Sequence, residues 1–337
     1  MAYQTAAPHV PPEILLHILH TSSKQTLLSA SRVSRSWRGP AQELLESRLS
    51  LPTPKVARAW LACPGRKTRT RRLSLGAGLT RDECERVFET VEGLEELAVV
   101  GNPAQPKLKF DARALQSKQL AGLRQLYLIA PLTDSSPAEP LNVPFSLTHL
   151  TCKGLYRGFP PSTMTSLVLA SQKTLTSLDL DAYGSNPSAA GFIRAFAPLA
   201  NTVQSIEVHG SDRLTPALTE FLASCTSLAS FTCWEAPLAL LEALPASVKN
   251  LEIGKDYVFH SEAPYEELLV RSGLLRQIET VRFGGISVAT LRAQAGGADL
   301  IQECKERGIE VDFGKEVSGR WGTLCYGWPF LGGKVAA

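Results

Sequence analysis

From Arg72 onward the apolar residues recur in one short rhythm: an apolar position, two others, a second apolar position, one other, and a third apolar position. The pattern is met at Leu94-Leu97-Val99, Leu123-Leu126-Leu128, Leu147-Leu150-Cys152, Leu175-Leu178-Leu180, Val203-Ile206-Val208, Leu228-Phe231-Cys233, Val248-Leu251-Ile253 and Ile278-Val281-Phe283. Shorter forms occur at Leu73-Ser74-Leu75 and Ile309-Glu310-Val311, and successive centres lie 20 to 30 residues apart. The last two apolar positions are two apart, so on a strand they share a side and enter a core while the residue between them faces out. Amphipathic stretches between the triplets, such as Leu167 to Gln172 and Leu218 to Cys225, predict outer helices. By the same relation Met164-Leu167-Leu169 reads as helix, although it also fits the triplet. A strand and a helix repeated at this period predict stacked units that share one continuous core.

The first fifty residues follow a helical rhythm instead. Pro11-Pro12-Glu13 suits a helix start, and Ile14, Leu15, Ile18 and Leu19 then share one face. Ser22 and Gln25 have capping-box spacing ahead of Leu27 and Leu28, which predicts a second helix start. Val33 and Trp37 sit one turn apart. Gly39-Pro40 predicts a break, and Ala41 to Leu49 a third short helix with Leu44, Leu45 and Leu49 inward.

This order, Pro11-Pro12-Glu13-Ile14-Leu15, then Leu27-Leu28, then Val33-Ser34-Arg35-Ser36-Trp37-Arg38, resembles the F-box. The resemblance implies a helical module that docks on the Skp adaptor of a cullin-type ubiquitin ligase through Pro11, Ile14, Leu15, Ile18, Leu19, Leu27, Leu28, Val33 and Trp37. Two positions depart from the family pattern: Pro12 replaces a frequent acidic residue, and His20-Thr21-Ser22-Ser23 lacks the usual aromatic-Leu ending of the first helix. The later triplets resemble leucine-rich repeats, although the Asn that ordinarily follows the strand is present only at Asn102.

The fold class expected is therefore α/β. A small N-terminal helical F-box-like module, residues 8–49, precedes an irregular leucine-rich-repeat solenoid with a parallel sheet on the concave side and helices outside. Residues 50–72 are expected as a basic linker or helical cap, 73–313 as nine or ten repeats, and 314–337 as a tail. That tail is rich in Gly and aromatic residues, and is expected to fold back over the last repeat rather than serve as a partner-binding peptide. Gly101 to Lys107, Pro131 to Pro144 and Tyr183 to Gly191 read as loops, the second long enough to lean over the binding face.

Composition narrows the function classes. A chain of 337 residues with 44% apolar content suggests about two domains and an ample core. It has no run of eighteen apolar residues, and its first ten residues, without Lys or Arg, do not resemble a signal peptide, so a cytoplasmic or nuclear location without membrane contact is expected. Seven cysteines without a Cys-x-x-Cys pair predict reduced thiols. The net charge of +3 conceals an asymmetry: residues 1–81 hold 13 Lys or Arg against three acids, and residues 82–337 hold 22 against 29. The run from Lys55 to Arg72 could meet phosphates, but Trp60 is its only neighbouring aromatic and no nucleic-acid motif accompanies it, so a nucleic-acid partner is not favoured.

Catalytic and metal signatures are few. His17 and His20 are three apart and read as solvated or half-packed; His149 and Cys152 point to opposite sides of a strand. The sequence contains no phosphate loop, no Gly-x-Ser-x-Gly elbow and no His-Glu-x-x-His, and implies no catalytic residue, metal or cofactor. What the solenoid pattern does predict is a concave row, Ser74, Ala98, Tyr127, Thr151, Asp179, Glu207, Thr232, Glu252, Arg282 and Glu310, with Asp181, His209 and Trp234 just beyond it. Of these, Tyr127, Thr151, Asp179, Asp181, Glu207, His209, Trp234, Glu252 and Arg282 form the expected target-binding face, suited to a basic or polar protein segment. Joined to the F-box resemblance, this implies a non-catalytic substrate adaptor of an SCF-type ubiquitin ligase with a protein substrate. A repeat scaffold that acts without a ligase is the alternative.

Overall fold

The computed structural model describes residues 11, 14–15, 18–19, 22, 24–33, 35–63, 65, 67–101, 105, 107–136, 139–153, 159–181, 189–209, 215–233, 238–254, 273–284, 287–293 and 296–314. Its frame is one sheet of eleven strands in chain order, every neighbouring pair parallel. The strands are β1 (Arg48–Leu51), β2 (Arg72–Gly76), β3 (Glu96–Val100), β4 (Gln125–Ile129), β5 (His149–Cys152), β6 (Ser177–Asp181), β7 (Ser205–His209), β8 (Ser230–Cys233), β9 (Asn250–Ile253), β10 (Thr280–Gly284) and β11 (Glu310–Gly314). Strictly sequential parallel pairing, with each crossover on the same side, is the topology of a leucine-rich-repeat solenoid.

The triplets form this sheet because their apolar pairs share a side. Leu97 and Val99, Leu126 and Leu128, Leu150 and Cys152, Leu178 and Leu180, and Ile206 and Val208 are all buried in one continuous core. Their leading residues, including Leu94, Leu123, Leu147, Leu175, Val203 and Leu228, are buried as well. With so few Asn after the strands, the turns are tied by the backbone. The carbonyl just before one strand accepts two successive N–H groups from the next turn: Glu95 and Glu96 donate to Arg71, Arg124 and Gln125 to Glu95, Thr148 and His149 to Arg124, and Gln204 and Ser205 to Thr176. Hydroxyls add rungs, as Thr174 Oγ1 donates to the Leu147 carbonyl at 2.7 Å and Ser227 Oγ to that of Asn201 at 2.9 Å. Buried backbone groups need partners, and this ladder supplies them at every turn.

The N-terminal module has its own small core of Leu15, Leu19, Leu27, Ala30, Ala41 and Leu44, with Trp37 and Leu45 packed against it. Ile14, Leu15, Ile18 and Leu19 are helical, and α1 (Lys24–Val33) and α2 (Arg35–Glu46) follow. Two local expectations are corrected. The Ser22 hydroxyl does not cap α1; it donates to the Ile18 carbonyl at 2.7 Å and closes the preceding turn. Gly39-Pro40 does not break the chain, because Trp37, Ala41, Leu44 and Leu45 form one continuous stripe that carries α2 through Pro40.

Leu49 belongs to β1, not to a third helix. The stretch 50–72, expected as a basic linker or helical cap, does hold a helix. It carries the end of β1, the helix α3 (Pro54–Leu61) and a strand Thr68–Arg69 that pairs with Val91–Glu92, and so forms the first turn of the solenoid. Of the outer elements, α4 (Arg81–Glu89), α5 (Pro161–Ser171) and, between them and the end of the chain, α6 (Ala189–Arg194) and α7 (Thr215–Ser224) are helices, so Met164-Leu167-Leu169 is outer helix. The Pro131 to Pro144 stretch does not lean over the sheet face. Leu132–Thr133 pairs with Phe110–Asp111, and Leu141, Val143 and Phe145 enter the core. The expected loop at 183–191 lies mostly outside the described residues, as do Asn102 and the tail beyond Gly314.

Candidate functional site

Two surfaces carry candidate chemistry, and the first is the outside of the N-terminal module. Its nine sequence-predicted residues divide in two. Leu15, Leu19 and Leu27 are buried in the module's core and Trp37 is half-buried against it. Pro11 is exposed, and Ile14 (54%), Ile18 (43%), Leu28 (42%) and Val33 (72%) are exposed large apolar side chains. They are four of the seven such side chains among the described residues; the others, Val56, Leu169 and Val288, are scattered along the solenoid. Exposed apolar side chains on one small module make its outside a candidate interaction surface.

The second surface is the exposed face of the sheet. Strand register places Ser50, Ser74, Ala98, Tyr127, Thr151, Asp179, Glu207, Thr232, Glu252 and Arg282 in one line. The row ends at Asp312, not Glu310, because Val311 and Phe313 pair with Val281 and Phe283. Glu310 instead ends a second row, at the strand entrances, that begins Arg48, Arg72, Glu96, Gln125 and His149.

The acids of this face are matched by bases within the chain. Arg72 Nε lies 2.6 Å from Glu96 Oε2, and the Tyr127 hydroxyl lies 2.9 Å from Gln125 Oε1 and 3.4 Å from Glu96 Oε1. Burial pushes the Glu96 carboxyl up despite Arg72, and burial with the Glu96 charge pushes the Tyr127 phenol well above its ordinary range. Further along, Arg282 Nε lies 2.8 Å from Asp312 Oδ2, and Nη1 lies 3.9 Å from Glu252 Oε2.

The densest cluster spans β5, β6 and β7. Lys153 Nζ is 3.2 Å from Asp179 Oδ2, and His209 Nε2 is 3.2 Å from Asp179 Oδ1 and 3.0 Å from Glu207 Oε1. The Thr151 hydroxyl donates to Asp179 Oδ2 at 3.4 Å. Burial opposes charge on both Asp179 and His209, but their mutual attraction outweighs it: with Lys153 helping, the Asp179 carboxyl is held low, and with Glu207 helping, the His209 imidazole is raised. Beside them the His149 ring packs 5.7 Å from that of Tyr127, and its burial lowers its basicity.

Of the expected target-binding residues, Tyr127, Asp179, Glu207 and Glu252 are half-buried and Arg282 is exposed. Thr151 and His209 are buried, and both meet the Asp179 carboxylate. Asp181 pairs in register with His209, and Trp234 lies outside the described residues. Lys153 was not anticipated. It follows its strand by one residue and only its length returns its ammonium to the face. The basic run is partly spent internally, since Arg58 meets Glu83 at 2.6 Å, Lys67 meets Glu92 at 3.8 Å and Arg72 meets Glu96. Cys152 sits in the core on the side of β5 opposite His149, with its thiol pushed up by burial, which is not the setting of a nucleophile.

A helical module with exposed apolar side chains, continuous with a solenoid, is the construction of a protein-interaction adaptor: an F-box-like domain followed by leucine-rich repeats. In comparisons with known proteins, residues 7–51 match the family model described as F-box-like. That match ends at the last residue of β1, so the F-box-like unit and the first solenoid turn share a strand. Among solved structures, the leucine-rich repeat-containing protein LegL7 from Legionella pneumophila is similar, with 17% identity, a TM-score of 0.48, and 79% of this chain and 89% of that chain covered. No curated protein sequence matches this chain. Among the described residues no helix is long and apolar enough to cross a membrane.

Proposed function

We propose that this chain is the substrate-recognition adaptor of an SCF-type ubiquitin ligase. Its F-box-like module would dock on a Skp adaptor, itself bound to a cullin, and its repeats would hold a target protein. The observation that carries this reading is the concentration of Ile14, Ile18, Leu28 and Val33 on the outside of a module whose inner leucines are fully buried. On this reading Pro11 and those four residues make the contact, while Leu15, Leu19, Leu27 and Trp37 hold the helices that present them.

The target would lie along the sheet face from Tyr127 to Arg282. Tyr127 offers a broad, anchored ring. Within that span Glu207 and Glu252 are the middle-row acids that most face solvent, which suits a basic or polar segment. The chain would add proximity and no chemistry of its own: a target lysine held near a charged conjugating enzyme reacts as if within one molecule.

Affinity purification of the tagged full chain from cells, beside an Ile18→Asp variant, tests the reading. Recovery of Skp and cullin with the wild type and their loss from the variant is expected. Recovery of neither with a folded wild-type chain would contradict it.

A further inference from the structure

We propose that Asp179, Glu207 and His209 form a binding site for one divalent transition-metal ion of the zinc type on the sheet face. The three side chains come from two adjacent strands. Asp179 and Glu207 are register partners on β6 and β7, and His209, two residues beyond Glu207, faces the same side. Asp179 Oδ1, Glu207 Oε1 and His209 Nε2 all lie within 4.8 Å of one another, with Nε2 at 3.2 Å and 3.0 Å from the two oxygens. Donors bound to one zinc ion at about 2.0–2.2 Å stand roughly 3.3 Å apart at tetrahedral angles, so small side-chain adjustments would admit the ion.

The fold already commits the other Asp179 oxygen. Lys153 and Thr151 take Oδ2, whereas the buried Oδ1 faces His209 Nε2 at 3.2 Å. One carboxylate oxygen is thereby oriented from behind and the other left to face the cluster, the arrangement that outer-shell partners give a metal ligand. One imidazole nitrogen with two carboxylate oxygens suits zinc and its neighbours better than calcium or magnesium, which take oxygen alone. Binding requires the His209 Nε2 lone pair, so a proton would leave as the ion enters. Glu207, the most exposed of the three, marks the side on which a further coordination position opens to solvent.

Titration calorimetry of the full chain with zinc ion, repeated in buffers of different ionisation enthalpy, should show one site and proton release. Cobalt(II) should give visible bands of nitrogen and oxygen ligation, without thiolate charge transfer, that persist in Cys63→Ser. Glu207→Gln, at a half-exposed position, should weaken binding about tenfold or more, and His209→Gln about a hundredfold. No stoichiometric binding at micromolar zinc, binding unchanged by Glu207→Gln, or binding lost with Cys63→Ser would overturn the site and leave the cluster a closed ion-pair network around an imidazolium.

Discussion

Ile18 and Leu19 are neighbours in sequence and opposites in burial: Ile18 is 43% exposed, whereas Leu19 is 0% exposed in the core of the N-terminal module. One residue turns a helix by about 100°, enough to move a side chain from the packed stripe to the outer face. The module therefore separates what builds it from what it can present.

That separation predicts different outcomes for two adjacent substitutions. Ile18→Asp should change stability by less than about 1 kcal/mol, and Leu19→Ala should cost roughly 3 kcal/mol by opening a cavity among Leu15, Leu27 and Leu44. Circular-dichroism melts of both variants check this. Equal destabilisation would mean that Ile18 is a core residue.

Arg113 should be the most sensitive charged residue of the solenoid. Its guanidinium is buried, meets Asp134 Oδ1 at 2.7 Å, and donates to the carbonyls of Ser136, Glu139 and Pro140, fastening that stretch to the preceding turn. Arg113→Ala would leave Asp134 buried beside lost partners and cost roughly 3 kcal/mol. Chemical denaturation measures it, and Arg113→Ala combined with Asp134→Ala should recover part of the loss.

The start of α4 carries a capping box: Thr80 Oγ1 accepts from the Glu83 N–H, and Glu83 accepts from the Thr80 N–H at 2.9 Å. Thr80→Ala should cost about 1 kcal/mol. Hydrogen bonds from Arg58 first, and then from the Thr80 N–H, hold the Glu83 carboxyl at about 2, below its ordinary 4.5. Because the folded value is depressed, the contribution is complete above pH 4.5 and is lost as pH falls from there to about 2. Urea melts across this window should lose that component of their pH dependence in Glu83→Gln.

Gly76 should resist substitution although its backbone angles are ordinary. A Cβ there would lie 2.3 Å from the Pro52 carbonyl oxygen, in the bend between β1 and α3. Gly76→Ala should therefore cost about 2 kcal/mol or more, read as a lowered melting temperature.

Much of the solenoid was legible because two apolar residues two apart, preceded by a third, are what a buried parallel strand needs; from Leu94 to Phe283 every triplet lies on or against its strand. The ends were not legible, for definable reasons. At β1 the leading position falls on Glu46, still inside α2, so Leu49 looked like the tail of a helical stripe. At β11, Ile309 with Val311 and Val311 with Phe313 are both apolar pairs, and only pairing with Val281 and Phe283 selects the second. Alternation along a strand names the residues of the sheet face but not their depth, so Thr151 and His209 looked as available as Glu207. Lys153 was hidden by its position outside any strand. In the F-box-like module the helical pattern grouped Ile14 with Leu15 and Ile18 with Leu19; packing against α1 and α2 divides each pair.

Docking on a Skp adaptor is tested most directly by mixing the purified full chain with a purified Skp protein and resolving the mixture by size-exclusion chromatography, with wild type and Ile18→Asp compared at equal concentration. The wild type should co-elute with Skp as a stoichiometric complex, and Ile18→Asp, with an unchanged melting curve, should elute alone. A folded wild type that elutes apart from Skp, or a variant that still co-elutes, would contradict the assignment of the exposed apolar face as the docking surface.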